Sequence, residues 1–311
     1  NESRKPVVAL ALPSGLQADR GELAGPVVKA TLTATFAGVK RALLLHPAAA
    51  CAGAVTVIPI GIPDAEVGRG IETWLLEEAD IRVHFPARHR DAHKGSYGHV
   101  LVVAGSVGKT GAAALAGRAA LRSGAGLVTI ATPASQQPIV AALGMESMTE
   151  PLPETSAQSL SLKSKERILE LASRSDAVAL GPGLSLDPET QSLIRELIRD
   201  VGKPMVVDAD ALTALAGSLE TLEGAEGPYA LVLADLGRAE QAVRDAVEQR
   251  TGLRDRLVLA CMHPDPGERP DAEPEPEAVV DPIVRAVQEA ATRRVSTSVG
   301  MGQATADAAL L

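Results

Sequence analysis

The chain has 311 residues, 46% hydrophobic and 22% charged, with a formal net charge of −9. That is enough to bury a core over about two domains, and the acidic balance argues against partners such as nucleic acid or an anionic membrane. Two cysteines, Cys51 and Cys261, cannot make a disulfide framework, which fits a reducing, cytoplasmic setting, and no apolar run is long enough to span a bilayer.

The first stretch, 5–62, reads as β-rich, with strands expected at 6–12, 30–36 and 54–60. A short helix at 71–78 and a basic run, Arg88-His89-Arg90, follow. From His99 onward strand and helix alternate. Strands are expected at 99–104, 127–131, 176–180, 204–207, 231–234 and 256–261. Helices are expected at 110–123, 159–173, 187–201, 211–222 and 238–249. The helix after Asp187 is the best marked: Asp187 is an N-cap, Pro188 suits the first helical position, and Leu193, Ile194, Leu197 and Ile198 recur at helical spacing. Residues 264–282 hold six prolines and seven acidic residues and read as a linker. A helix at 283–293 and a small-residue tail end the chain. Trp, Tyr and Phe number 1, 2 and 2, so the core must be built from Ala, Val, Leu and Ile, and base-stacking platforms are excluded. Alternating strands and helices imply an α/β fold, a mostly parallel sheet covered on both faces.

Ligands of such sheets bind at the carboxyl ends of the strands, and three segments place unusual residues there. Gly105-Ser106-Val107-Gly108-Lys109-Thr110-Gly111 opens a helix whose free N–H groups suit a phosphate. It is not a Walker A loop, because Val103 stands where that motif needs its first glycine. An ordinary glycine-rich β–α turn remains the other reading. Gly181-Pro182-Gly183 could sit beneath a flat ligand or form a plain turn. Asp208-Ala209-Asp210 could hold a metal or a ribose, or Asp210 could only cap the next helix.

Residues 93–106, His93-Lys94-Gly95-Ser96-Tyr97-Gly98-His99-Val100-Leu101-Val102-Val103-Ala104-Gly105-Ser106, resemble the dehydratase domain of bifunctional NAD(P)H-hydrate repair enzymes. So do Ala119–Thr129, Met148–Leu152, Gly181–Leu184 and Asp208–Leu212, in the family's order. The resemblance implies a ribokinase-like three-layer sandwich over 80–311, preceded over 1–79 by a β-rich remnant of the family's Rossmann-like epimerase domain. It implies removal of water from hydrated NADH or NADPH with ADP, or ATP in eukaryotes. The beginning of the chain, Val7–Gly15 with Gly61-Ile62-Pro63, is similar to the late part of the epimerase domain. Ser14 matches a potassium-binding position there, but Ala11 replaces an Asp that contacts the hydrate, so no epimerase activity is expected. The chain starts without Met, and a trimmed chain or a fragment of a longer bifunctional one is expected.

By the same resemblance, Asp307 is the acid/base group for the departing hydroxyl, and amides of Gly300, Gly302, Thr305 and Ala306 meet the nucleotide phosphate. Ala112, Ala113 and Gly183 line the hydrate pocket, with Asp208 and Asp210 as supporting polar groups. ADP, with ATP as the alternative, and potassium or magnesium are the implied cofactors. A homo-oligomer is in keeping with the family. The end of the chain departs from the pattern: Ala306 replaces a phosphate-approaching glycine, and the family's His-bearing strand segment is only echoed by Met262–Glu268. Two rivals stay open: a catalytically degenerate nucleotide-binding relative, and a small-molecule kinase of the ribokinase superfamily. An active chain would be a hydro-lyase.

Overall fold

A computed structural model describes residues 5–69, 75, 82, 84, 85, 87–232 and 259–260. They fall into two compact units, one up to residue 86 and one from Ala87. The expectations for 238–249, 264–282 and 283–293 lie outside the described residues, as does that for 71–78 apart from residue 75.

The first unit is a three-stranded sheet of β1 (Val8–Leu10), β2 (Leu32–Phe36) and β3 (Ala54–Ile58), in that spatial order and parallel throughout. The central strand β2 is buried on both faces: Leu32 and Ala34 on one side, Thr33 and Thr35 on the other. Its threonines are tolerated there because each hydroxyl donates to a backbone carbonyl, Thr33 to Ala52 at 2.6 Å and Thr35 to Gly38. Lys40 spends its ammonium on the carbonyls of Phe36 and Gly38, and burial pulls its pKa down. A four-residue helix, α1 (Asp64–Val67), follows β3.

The second unit alternates strand and helix. In chain order come β4 (His99–Val103), α2 (Thr110–Arg122), β5 (Leu127–Pro133), α3 (Gln137–Leu143) and β6 (Met148–Leu152). Then come α4 (Lys165–Ser173), β7 (Ala177–Leu180), α5 (Pro188–Asp200) and β8 (Met205–Val207). The short helices α6 (Asp210–Leu215) and α7 (Glu220–Glu223), then β9 (Tyr229–Val232) and β10 (Leu259–Ala260), complete the described residues. All seven strands are parallel, in the order β10-β9-β8-β7-β4-β5-β6.

Alternation along β4 sorts the core into two layers. Leu101 and Val103 point to one face, where Ile168 of α4, Leu193, Ile194, Leu197 and Ile198 of α5, and Leu212 of α6 bury them. Val102 points to the other face, toward Ala113 of α2 and Val140 of α3. Helices on both faces of a parallel sheet make the three-layer α/β arrangement that the alternating sequence implied.

Three expected elements differ in detail. The helix placed at 159–173 begins as α4 at Lys165, because Glu154 and Leu160 pair in an antiparallel bridge and 162–164 form a 3-10 turn. The helix placed at 211–222 is two pieces, broken around Gly217, whose φ of +80° leaves the helical region. The strand placed at 231–234 begins earlier, at Tyr229, as β9. Three further elements, α1, α3 and β6, have no counterpart among the expected ones; β6 is an edge strand with Pro151 in it.

Candidate functional site

The sheet has one topological switch point among the described residues. From β4 the chain turns outward to β5 and β6, whereas from β7 it turns the other way, to β8 and β9. The crevice between the carboxyl ends of β4 and β7 is where such sheets bind ligands. Both glycine-rich turns of the sequence open onto it.

They are stitched to each other. Gly105 N–H donates to the Pro182 carbonyl at 2.9 Å, and the buried Ser106 hydroxyl donates to the Gly183 carbonyl at 2.8 Å. Gly181, at φ +131°, has no room for a side chain: a Cβ there would lie 1.8 Å from the Asp208 carbonyl oxygen. Gly183, at φ +68°, faces the start of α2, and a Cβ would fall 2.9 Å from Cβ of Lys109 and 3.2 Å from Cβ of Ala112. The two glycines therefore let the β7 turn lie flat against the β8 turn on one side and α2 on the other.

The paired carboxylates have different partners. Asp208 Oδ1 accepts its neighbour's amide, Ala209 N–H, at 2.7 Å, and burial holds its carboxyl above the usual carboxylate range. Asp210 is the first residue of α6, not its cap: the position before it is Ala209, at φ +50°, and no side chain caps that helix. The capping reading is thus set aside. Asp210 Oδ2 instead accepts from Lys109 Nζ and from Ser185 N–H, each at 2.8 Å. Among the described residues there is no group of three or more His, Cys, Asp or Glu placed to hold a metal.

Of the residues expected to line the pocket, Gly183 and Ala112 meet, and Asp210 lies beside them through Lys109. Ala113 is fully buried, its methyl turned toward Gly105 and the sheet. Ser14 belongs to the first unit, where it is exposed and its carbonyl accepts from Val28 N–H. Asp307, Gly300, Gly302, Thr305 and Ala306 lie outside the described residues. Reading the sequence missed Lys109, Ser106 and Ser185. Lys109 has a signal, the Gly-Lys-Thr triplet, but that triplet points to a phosphate loop rather than to a carboxylate partner. Ser185, with φ +86°, had none.

Residues 100–232 match the family model for NAD(P)H-hydrate dehydratase, and residues 1–42 match that for the YjeF-related protein N-terminus. The bifunctional NAD(P)H-hydrate repair enzyme Nnr of Moorella thermoacetica is 47% identical over 232 residues, 74% of this chain and 44% of that one. Its counterpart from Thermofilum pendens is 38% identical over 231 residues, again 74% and 44%. Among solved structures, the ADP/ATP-dependent NAD(P)H-hydrate dehydratase of Bacillus subtilis, co-crystallized with ATP/Mg2+, is similar at 23% identity. Its TM-score is 0.44, over 61% of this chain and 67% of that one. The chain spans a little under half the length of the two curated relatives.

Proposed function

We propose that this chain, whose residues 100–232 match the family model for NAD(P)H-hydrate dehydratase, dehydrates NAD(P)H hydrate back to NAD(P)H in a nucleotide-dependent reaction. The observation that carries the reading is the meeting of Gly183 with the start of α2 at the switch point, within the stretch that carries the family's motifs. Gly183 packs there on Lys109 and Ala112 with no side chain of its own, and a wall of such small groups suits a flat nicotinamide ring.

Dehydration takes a hydroxyl from one ring carbon and a proton from the next, and restores the double bond between them. The hydroxyl needs an acid, and the family resemblance gives that task to Asp307. By the same resemblance the hydrate rests on a floor made by the half-buried Ala112 and the buried Gly183 packed against it. The buried Ser106 hydroxyl, donating to the Gly183 carbonyl, keeps that floor in place. The nucleotide, ADP or ATP, falls to Gly300, Gly302, Thr305 and Ala306, where glycine and small residues admit phosphate to backbone amides. Its contribution when bound is to make the hydroxyl a better leaving group, and magnesium is the natural counterion of its phosphates. The setting proposed is the cytoplasm, where nicotinamide cofactors turn over. No helix among the described residues is long and apolar enough to cross a membrane.

The test follows absorbance of reduced nicotinamide on adding the chain to NADH hydrate with ADP, with ATP, or with neither. Nucleotide-dependent recovery, abolished by Asp307→Asn, is the expected result. Folded protein that binds nucleotide without recovering NADH would reassign the chain as a binding relative. Consumption of ATP with no recovery would reassign it as a kinase.

A further inference from the structure

We propose that Asp210 is a positioning residue: one carboxylate oxygen ties together the segments that follow β4, β7 and β8 and so fixes how the buried Gly183 packs against the start of α2 beside Ala112. The inference rests on the reading that this edge of the sheet takes the hydrate. Oδ2 of Asp210 accepts from Lys109 Nζ and Ser185 N–H at 2.8 Å each. Lys109 belongs to the turn after β4, Ser185 to the turn after β7, and Asp210 to the turn after β8. Those three strands lie side by side, so the tie crosses the switch point itself.

The Lys109–Asp210 pair is too wet to matter by charge alone, with side chains 45% and 19% exposed. Its effect is geometric. Ser185 at φ +86° and Ala209 at φ +50° are left-handed without being glycine. Such conformations persist only where neighbours over-determine them. The bond from Ser185 N–H to Asp210 holds the first, and Ala209 is the residue that turns the chain into Asp210. Lys109 in turn carries the atoms that Gly183 packs upon. Cutting the tie frees the β7 turn to relax toward an ordinary conformation, and the floor moves with it. The carboxylate is not spent on its own helix, since α6 has no side-chain cap.

The experiment compares kcat and KM for NADH hydrate in the full chain carrying Asp210→Ala, Asp210→Asn, Lys109→Met, and Lys109→Met with Asp210→Ala. Lys165→Met is the control, because it breaks the pairs with Glu196 and Asp200 on the α4–α5 surface. Asp210→Ala is expected to raise KM about tenfold or more, with a smaller change in kcat. Asp210→Asn, which keeps an oxygen acceptor for both donors, stays within about threefold of the parent. Lys109→Met alone raises KM by about threefold to tenfold, and adds less than about twofold once Asp210→Ala is present. Lys165→Met leaves KM unchanged. Amide hydrogen exchange over 181–187 is read alongside, without turnover: faster in Asp210→Ala, unchanged in Lys165→Met.

A parent chain inert toward the hydrate with either nucleotide would discard the dehydratase reading. The exchange would then decide the tie alone. Parent-like KM and exchange in Asp210→Ala would overturn the proposal, as would Asn damage equal to Ala damage or additive effects of the two sites. If Asp210→Ala does not fold, Lys109→Met and Asp210→Asn decide, and a Lys109→Met chain with parent-like KM and exchange overturns it.

Discussion

The two ends of the seven-stranded sheet are held by different means. At the amino ends, the ties involve no residue other than glycine at positive φ. His99 N–H donates to Asp176, Gly126 N–H reaches the carbonyls of Tyr97 and Gly98, and the Arg88 guanidinium lies 4.2 Å over the Tyr97 ring. At the carboxyl ends, Ser106 and Asp210 cross from one turn to the next, and Ser185 and Ala209 sit in left-handed conformations although each carries a side chain. Close packing is common to both ends: a Cβ on Gly126 would lie 1.6 Å from the Lys94 carbonyl, as one on Gly181 would lie 1.8 Å from that of Asp208. What sets the carboxyl end apart is strain in residues other than glycine, bound by polar side chains, and such strain gathers at functional sites.

The largest effect ignores that distinction. Gly181→Ala and Gly126→Ala should each cost about 4 kcal/mol or more, since backbone must move in both, and urea unfolding should show little folded protein for either. A single outcome with Gly126→Ala fully tolerated would break the equality of packing. Leu101→Ala, in the fully buried centre of β4, should lose about 2–5 kcal/mol by the same measurement, independently of either end. Asp187→Ala removes the acceptor of Glu189 and Thr190 N–H at the start of α5 and should cost about 1 kcal/mol. Ala209→Gly sharpens the comparison, because it should stabilise by up to about 1 kcal/mol as left-handed strain is relieved. That gain should come with poorer KM for the hydrate, as the β8 turn gains freedom.

The smallest effect is one of pH. Burial raises the Asp208 carboxyl, so ionising it costs the folded state more than the unfolded one. The cost is absent below the unfolded pKa, near pH ~4, and develops as pH rises through the raised folded value. Asp208→Asn keeps an acceptor for Ala209 N–H and should match the parent in acid but become the more stable of the two toward pH 7. Parallel unfolding curves at both pH values would show that the carboxyl carries no such cost.

Much of this was legible because local chemistry and global fold agree. Asp187 capped its helix as its position before Pro188 implied, and β4 with α2 fell within a residue of their expected bounds. The strand β6 was hidden by Pro151 and by charged Glu150, residues that an edge position tolerates. The site was half legible. Gly181 and Gly183 announced a turn, since glycine is what a positive φ and a close backbone demand. Ser185 and Ala209 announced nothing, because their conformations are imposed from outside by Asp210 and by the neighbouring turns. Asp210 itself looked like a cap because caps are local; its partners Lys109 and Ser185 are 101 and 25 residues away.

The order of strands also carries a kinetic consequence. β4 joins β5 after one helical crossover, but meets β7 only after β5, β6 and their helices have been made, with Gly181 N–H closing on the Val103 carbonyl. Closing the longer loop carries the larger entropic cost. The β4–β5–β6 half can therefore assemble while the seam to β7 is still open. That seam is the one along which Gly105 meets Pro182 and Ser106 meets Gly183. The crevice comes into being when that seam closes, so a chain that stalls before it exposes an unpaired edge of β4 and has nowhere to receive a ligand.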